Sequence, residues 1–442
     1  LLPICPEGGF PEQGEFFFHV KQAWCLERDH TDLFGDFFRD SFFGQLSHAE
    51  YQRGKSSASS AYLNKFQEYI VQFICKNFLE IFQAESVSSA WHVVRENVQK
   101  TFPKMVAAGN YSGITHLHDD IYAVVSDKSD SALFFKFRIQ LNPLSGELEH
   151  VENLGFSETV CEKGLDHEAI ARVSDSTLVT VSEGFFRFAE YPVYGMNNDR
   201  CVFRVGESVD VRKQKSADFV WSSTHSPSDF HPNYGYESLA YDSVRHLLWS
   251  ISESTLRNDG EPSSWQNGEA NRLRLFAFDW SERSDTSSMF GSVRHPIAVS
   301  YAYRMDAPAI RKRPQTYAMG VSELCVLPDG QLLVLEREVY VPKSKIGASC
   351  QCKLYLVNPA EEQVFPMSAS FASDDVPYVR KSLLTQWSTR LTLLGRSFAN
   401  YEGMCLGPQL ADGSQVLILL SDSQDQYAGV LKDWFKTIVL AK

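Results

Sequence analysis

From about residue 105 onward, short apolar runs recur in pairs about tight turns. The clearest pair lies in residues 320–338. There a strand is predicted over 323–327, a Pro328-Asp-Gly330 turn follows, and a second strand runs over 331–335. Proline presets the first turn dihedral and glycine accepts positive φ, so the two runs fold back as a hairpin. The apolar positions do not alternate with polar ones, which predicts strands covered on both faces. One carboxylate, Glu323, opens the hairpin, and another, Glu336, closes it.

The unit recurs. Ser112-Gly-Ile-Thr-His-Leu117 turns at Asp119-Asp120 into a run ending Ser126-Asp127. Asp166-His-Glu168-Ala-Ile-Ala171 turns at Ser174-Asp175 into a run ending Ser182-Glu183. Tyr236-Glu237-Ser-Leu-Ala-Tyr241 leads through Asp242-Ser243 to Ser252-Glu253, and Tyr401-Glu402-Gly-Met-Cys-Leu406 leads through 411–413 to Ser421-Asp422. Further strands are predicted after each hairpin: 132–141, 201–211, 273–280 with 296–304, 353–358 with 382–387, and 434–440. Repeated four-stranded units without helical crossovers predict an all-β fold, a β-propeller whose first strands line the axis. The repeats give five blades, or six if an irregular one lies within 270–310 or in the N-terminal segment. Their spacing exceeds that of compact propeller repeats, so long connections such as 216–233 and 258–271 are expected to shape one face.

Residues 1–105 read differently. Phenylalanine is dense, and Tyr62, Phe66, Tyr69, Ile70, Phe73, Ile74, Phe78, Leu79 and Phe82 recur at helical spacing. Ser86 or Ser88 is a candidate cap for a second helix carrying Trp91, Val94 and Val98. The expected organisation is therefore a partly helical extension over 1–105 and a propeller over 106–442.

Composition narrows the function. With 43% hydrophobic and 22% charged residues the chain has material for a core, and its net charge of −13 repels nucleic-acid backbones while suiting cations. Nine cysteines lack metal spacing, and Cys350-Gln-Cys352 is too tight for a zinc knuckle. No apolar run reaches membrane-spanning length. The chain starts Leu1-Leu-Pro-Ile rather than with methionine, which we read as a truncated or processed start.

The candidate chemistry is acidic. Glu168, Glu237, Glu323 and Glu402 are expected at equivalent first-strand positions near the axis, with Asp127, Glu183, Glu253, Glu336 and Asp422 ending the second strands. Crowded carboxylates need a cation, a basic side chain or backbone donors, and calcium takes hard oxygen ligands at flexible angles. Alternatively, the acids accept hydrogen bonds that hold the blades together. Lys128 and Arg337 each follow an acid, and either pairs with its neighbours or holds an anionic substrate. The Gly109–Gly113 and Gly403–Gly407 spacings only imitate a nucleophile elbow, because neither sits on a strand-to-helix turn.

Five segments in order carry a resemblance: Asn110-Tyr-Ser-Gly-Ile-Thr, Asp166-His-Glu-Ala-Ile-Ala, Asn233-Tyr-Gly-Tyr-Glu-Ser-Leu-Ala with Ser252-Glu-Ser, Gly320-Val-Ser-Glu with Leu333-Val-Leu-Glu-Arg, and Asn400-Tyr-Glu-Gly-Met with Leu420-Ser-Asp-Ser. Residues 105–442 thereby resemble the phytase-like family, described as carrying an esterase-like activity of phytase. The resemblance implies an exported (periplasmic or extracellular) bacterial β-propeller that hydrolyses phosphate esters. It departs at Ala169, where glycine is usual, and it does not cover the first 105 residues. The reading assigns Glu237, Glu253, Glu323 and Glu336 to catalysis, Lys128 and Arg337 to the substrate, and Asp127, Glu168, Glu183, Glu402 and Asp422 to calcium. The partner is a small phosphate ester or other anionic substrate. The alternatives are a non-catalytic binding propeller and a lactonase-type, calcium-dependent propeller hydrolase.

Overall fold

The computed structural model describes residues 90–127, 134–156, 166–182, 187–192, 220–222, 229–231, 234–281 and 297–442. The chain divides into two compact units, Leu1–Ser88 and Ser89–Lys442. The first unit, with its aromatic stripe, lies outside the described residues, as does the strand expected over 201–211. Among the described residues no helix is long and apolar enough to cross a membrane.

Among the described residues the second unit forms a propeller of five antiparallel four-stranded sheets. The first blade is β2 (Tyr111–His118), β3 (Ile121–Ser126), β4 (Phe135–Leu141) and β5 (Leu148–Phe156). The second is β6 (His167–Ser174), β7 (Thr177–Ser182), β8 (Arg187–Pro192) and β9 (Val220–Ser222). The third is β10 (Ala240–Asp242), β11 (Leu247–Ile251), β12 (Arg272–Asp279) and β13 (Ile297–Arg304), and the fourth β14 (Thr316–Val326), β15 (Leu332–Val341), β16 (Ser349–Val357) and β17 (Ser382–Arg390). The fifth takes β18 (Asn400–Gln409), β19 (Gln415–Asp422) and β20 (Phe435–Ala441) from the C-terminal end and β1 (His92–Glu96) from before the first blade. The inner strands touch in a closed circuit, β2 to β6 to β10 to β14 to β18 and back to β2.

That circuit explains the non-alternating second strands. The core is divided into wedges between neighbouring blades. On β15, Leu333 and Leu335 enter the wedge shared with the fifth blade, while Leu332 and Val334 enter the wedge shared with the third. On β19, Leu417 and Leu419 face the fourth blade, and Val416, Ile418 and Leu420 face the first. Both faces of such a strand are interior, and each large aliphatic side chain contributes about 1.5–3 kcal/mol by burial.

Two expectations change. The hairpin of 320–338 is longer than its apolar runs, because β14 and β15 pair from Thr316↔Val341 to Val326↔Leu332. Its turn forms as read, with Gly330 at φ +86° and Asp329 accepting from the Gln331 amide. The helix expected to carry Trp91, Val94 and Val98 is instead β1 and its flanks, paired antiparallel with β20 from His92↔Ala441 to Glu96↔Ile438. Trp91 and Val93 pack on the wedge core while Val94 and Val98 are exposed, which is strand alternation satisfied by a partner far along the chain. Asp329 fastens this closure, accepting from Trp91 Nε1 at 2.8 Å and pairing with Lys442 at 3.0 Å.

Inner strands approach so closely that side chains are excluded at the contact. A Cβ on Gly113 would lie 2.6 Å from Ala169 Cα and 2.9 Å from the Glu168 carbonyl oxygen, both backbone atoms of the next blade. Gly113→Ala is therefore expected to destabilise the propeller by about 1–3 kcal/mol through overpacking. Chemical denaturation would check this, and an unchanged midpoint would remove the close-approach explanation.

Candidate functional site

The inner strands begin, and the second strands end, at one mouth of the axis. Strand register defines equivalent positions there. Tyr111↔Ser126, His167↔Ser182, Tyr236↔Ser252, Val321↔Glu336 and Tyr401↔Ser421 are corresponding pairs. The residue after each first partner is Ser112, Glu168, Glu237, Ser322 and Glu402, and the pairing slips at this position in β2, β6, β14 and β18. Following the second partners are Asp127, Glu183, Glu253, Arg337 and Asp422. In the fourth blade the acids expected to match are thus each displaced by one residue. Because side chains alternate along a strand, Glu336 points away from the axis and Arg337 points toward it.

Arg337, on the fourth blade, is 5% exposed and faces carboxylates from the two flanking blades, Glu237 and Glu253 of the third and Glu402 of the fifth. Its Nη2 donates to Glu237 Oε2 at 2.7 Å and to Glu253 Oε1 at 3.2 Å. Its Nη1 donates to Asn400 Oδ1 at 2.9 Å and to Glu402 Oε1. Asn400 Nδ2 also donates to Glu402 Oε1, at 2.7 Å. Burial works against the guanidinium charge, and Glu237, Glu402 and Glu253 more than reverse it. One cation does not neutralise three acids. Burial pushes Glu402 up to about 7, the neighbouring Glu237 and Asp127 add to this, and Arg337 opposes it. Glu402 therefore exchanges a proton near neutrality.

A second group lies between the first and second blades. Asp127, Asp166 and Glu168 each offer a carboxylate oxygen, and all three oxygens fall within 4.8 Å of one another. Ser112 Oγ donates to Glu168 Oε2 at 2.8 Å and bonds its carbonyl oxygen at 2.5 Å, which orients the carboxylate. Burial, then Glu237, Glu402, Asp127 and Asp166, hold Glu168 well above the usual carboxylate range. Ligands on opposite sides of a calcium ion are about 4.6–5.2 Å apart, so the three oxygens fit one ion of that kind. This acidic cluster can bind a metal.

The remaining candidates lie elsewhere. Glu323 sits between β10 and β14, where Oε1 accepts from the Leu239 amide at 3.0 Å and the Leu324 amide at 2.9 Å, while buried Oε2 has no partner. Burial pushes its carboxyl above the usual carboxylate range, and through Oε1 Glu323 joins two blades. Glu336 accepts from Tyr303 Oη at 2.7 Å and Lys381 Nζ at 2.5 Å, on the side of β15 away from Arg337. Asp422 binds its own turn through the Gln424 amide at 2.7 Å. Lys128 and Glu183 lie outside the described residues. The structure thus brings together Glu237, Glu253, Glu402 and Arg337, with Asp127 and Glu168 beside them. The sequence reading did not single out Asp166, Ser112, Asn400 or Tyr234. For Asp166 and Asn400 a signal was present, since each stands two residues before a bulge glutamate, Glu168 and Glu402.

Comparison with known proteins extends the picture. A family model described as "Phytase-like: Esterase-like activity of phytase" matches residues 106–424. No curated protein matches the chain. Among solved structures, a streptogramin B lyase is similar at 10% identity and TM-score 0.29, covering 77% of this chain and 97% of that one. The Dos1 propeller is similar at 8% identity and TM-score 0.24, over 74% and 68% of the two chains. A calcium-binding regucalcin from Agrobacterium tumefaciens is similar at 10% identity and TM-score 0.27, over 76% and 95%. At these scores none bears on the site.

Two outcomes are expected from the axial cluster. Arg337→Met leaves buried carboxylates without their counter-charge and should cost about 3–5 kcal/mol near neutral pH, less at pH 5. Equal unfolding midpoints for variant and wild type at pH 7 would sink the clamp role. Glu402 holds its proton up to about pH 7, whereas the unfolded chain releases it near the ordinary value of 4.5. The stability it contributes is full below that lower value and is lost as pH rises through about 7. Glu402→Gln should flatten the decline, as read from thermal midpoints across that window.

Proposed function

The chain belongs to the phytase-like family, and on that premise we propose that it hydrolyses phosphate esters at the acidic mouth of the axis, with calcium as its cofactor. The observation that carries the reading is the convergence of Asp127, Asp166 and Glu168 on one small volume beside a carboxylate, Glu402, that titrates near neutrality. Asp127, Asp166 and Glu168 would hold the ion, whose chemistry is to neutralise the phosphate and lower the pKa of a water nucleophile. Ser112 fixes the Glu168 carboxylate in place.

Within that frame the chain's own residues divide the work. Glu402 is poised either to take a proton from the attacking water or to give one to the leaving alcohol, since an acid–base group works best with its pKa near the operating pH. Arg337 holds Glu402, Glu237 and Glu253 in fixed positions. With its guanidinium so occupied, Arg337 acts on the substrate through these acids, a positioning role. An exported setting suits the reading, because extracellular modules bind calcium at about 10⁻⁴–10⁻³ M.

A second reading has its own support. Glu323 binds two backbone amides and Glu336 a tyrosine and a lysine, so these acids serve architecture and fit a propeller that binds ligands without turnover. The two readings separate in one experiment. Phosphate release from aryl and sugar phosphates is measured with calcium and with a chelator, for wild type and variants. The hydrolase reading expects turnover that the chelator abolishes, and Glu402→Gln should lower kcat by about 10²–10⁴-fold. Absence of turnover in calcium with every substrate would leave the binding propeller standing.

A further inference from the structure

A recess of about 630 Å³ opens at the third and fourth blades, walled by His231, Tyr234, the turn over 261–267 and Tyr317. It adjoins the axial acids through Tyr234, whose hydroxyl pKa is raised by burial and then by Glu253 and Glu237. Two sides of the recess are built in advance. Ser264 and Asn267 bond reciprocally, the Ser264 amide to Asn267 Oδ1 at 2.9 Å and the Asn267 amide to Ser264 Oγ at 3.1 Å. The Gly268 amide closes the same turn on the Ser264 carbonyl at 3.0 Å, and Asn271 Oδ1 accepts from the Ser263 amide at 2.7 Å. Across the recess, Tyr317 is tethered by its hydroxyl to Glu338 at 2.8 Å. A wall fixed in this way loses little entropy when a ligand arrives.

The lining has a chemical signature. Tyr234, Trp265 and Tyr317 are half-buried aromatics, offering apolar surface with polar edges, while Glu261 and Gln266 are exposed hydrogen-bonding groups. Among the described residues that line it there is no lysine or arginine, and Arg311 lies at its edge, against Gly268 and near Tyr317. Aromatic faces cover the C–H faces of a saturated ring, and carboxylate and amide groups pair with ring hydroxyls. A multiply phosphorylated ring would bring several negative charges against Glu261, more than Arg311 alone at the edge of the recess balances.

We infer that this recess is a subsite for an uncharged, hydroxylated, sugar-like ring. Resting on the hydrolase reading, such a ring would be the alcohol part of the ester whose phosphate meets the axial acids. Ring binding itself does not require turnover.

Saturation-transfer NMR on the full chain tests it, with methyl β-glucoside as the probe and cyclohexanol and inositol hexakisphosphate as comparisons. Transfer to the glucoside ring protons is expected to exceed that to either comparison. Trp265→Ala should lower it at least five-fold, and Trp265→Phe should keep most of it. Should Trp265→Ala fail to fold, Glu261→Ala carries the same test at an exposed turn position and should lower transfer at least two-fold. No transfer to the glucoside, or equal transfer in wild type and these variants, overturns the subsite. Ring binding without hydrolysis of any phosphate ester would retain the subsite and remove the reaction. Hydrolysis without ring binding would do the reverse.

Discussion

A buried guanidinium stands where repetition of the blade would put a fifth second-strand carboxylate. Everything at the mouth of the axis depends on that substitution. Without a positive charge, Glu237, Glu253 and Glu402 would meet in a desolvated space with only protonation to relieve them. With Arg337 present, the third and fifth blades are bound to the fourth through one planar group whose donors diverge in fixed directions. Since one cation faces several acids, compensation is incomplete. The uncompensated part shows as the raised pKa values of Glu402 and Glu168.

The ring of blades is consequently lopsided. Arg337 serves the third, fourth and fifth blades, while Asp127, Asp166 and Glu168 gather at the seam of the first and second. Repetition supplies a common backbone site at the bulges of β2, β6, β14 and β18, filled by serine or glutamate, while Arg337 takes the second-strand place held by an acid in other blades. Farther down the axis a cavity of about 270 Å³ carries no carboxylate among the described residues: Ile114, Ile170, Leu239, Leu324, Met404, Cys325 and Cys405 line it together with Thr115, His116, Arg172 and Ser243. Burial holds both of these thiols above their ordinary pKa, as befits small apolar side chains rather than nucleophiles.

Much of this architecture could be read from the chain because an inner hairpin buried on both sides has an unusual composition. Leu332 to Leu335 carry no polar residue, since each face belongs to a different wedge. Sequence position does not reveal a bulge, however. Counting residues aligned Glu323 with Glu402 and Glu336 with Glu253, whereas the ladder sets Ser322 and Arg337 in those places. A one-residue difference reverses side-chain direction, so Glu336 meets Tyr303 and Lys381 instead of the axis. The strand β1 was hidden for another reason. Its five residues take their alternation from β20, and the partner lies at the opposite end of the chain. Tyr234 and Trp265 were obscured in loops, where periodicity has nothing to say about direction.

The pairing of β1 with β20 also has a consequence during synthesis. His92 finds Ala441, and Glu96 finds Ile438, only after nearly the whole propeller has left the ribosome. At roughly 5–20 residues per second, the nascent chain spends on the order of 20–70 s with β1 unpaired and the circuit of inner strands open. Four blades can assemble in that time, but each end of the growing arc shows a naked apolar wedge. The interval in which this protein is most exposed to wrong partners is therefore set by where its last strand is encoded.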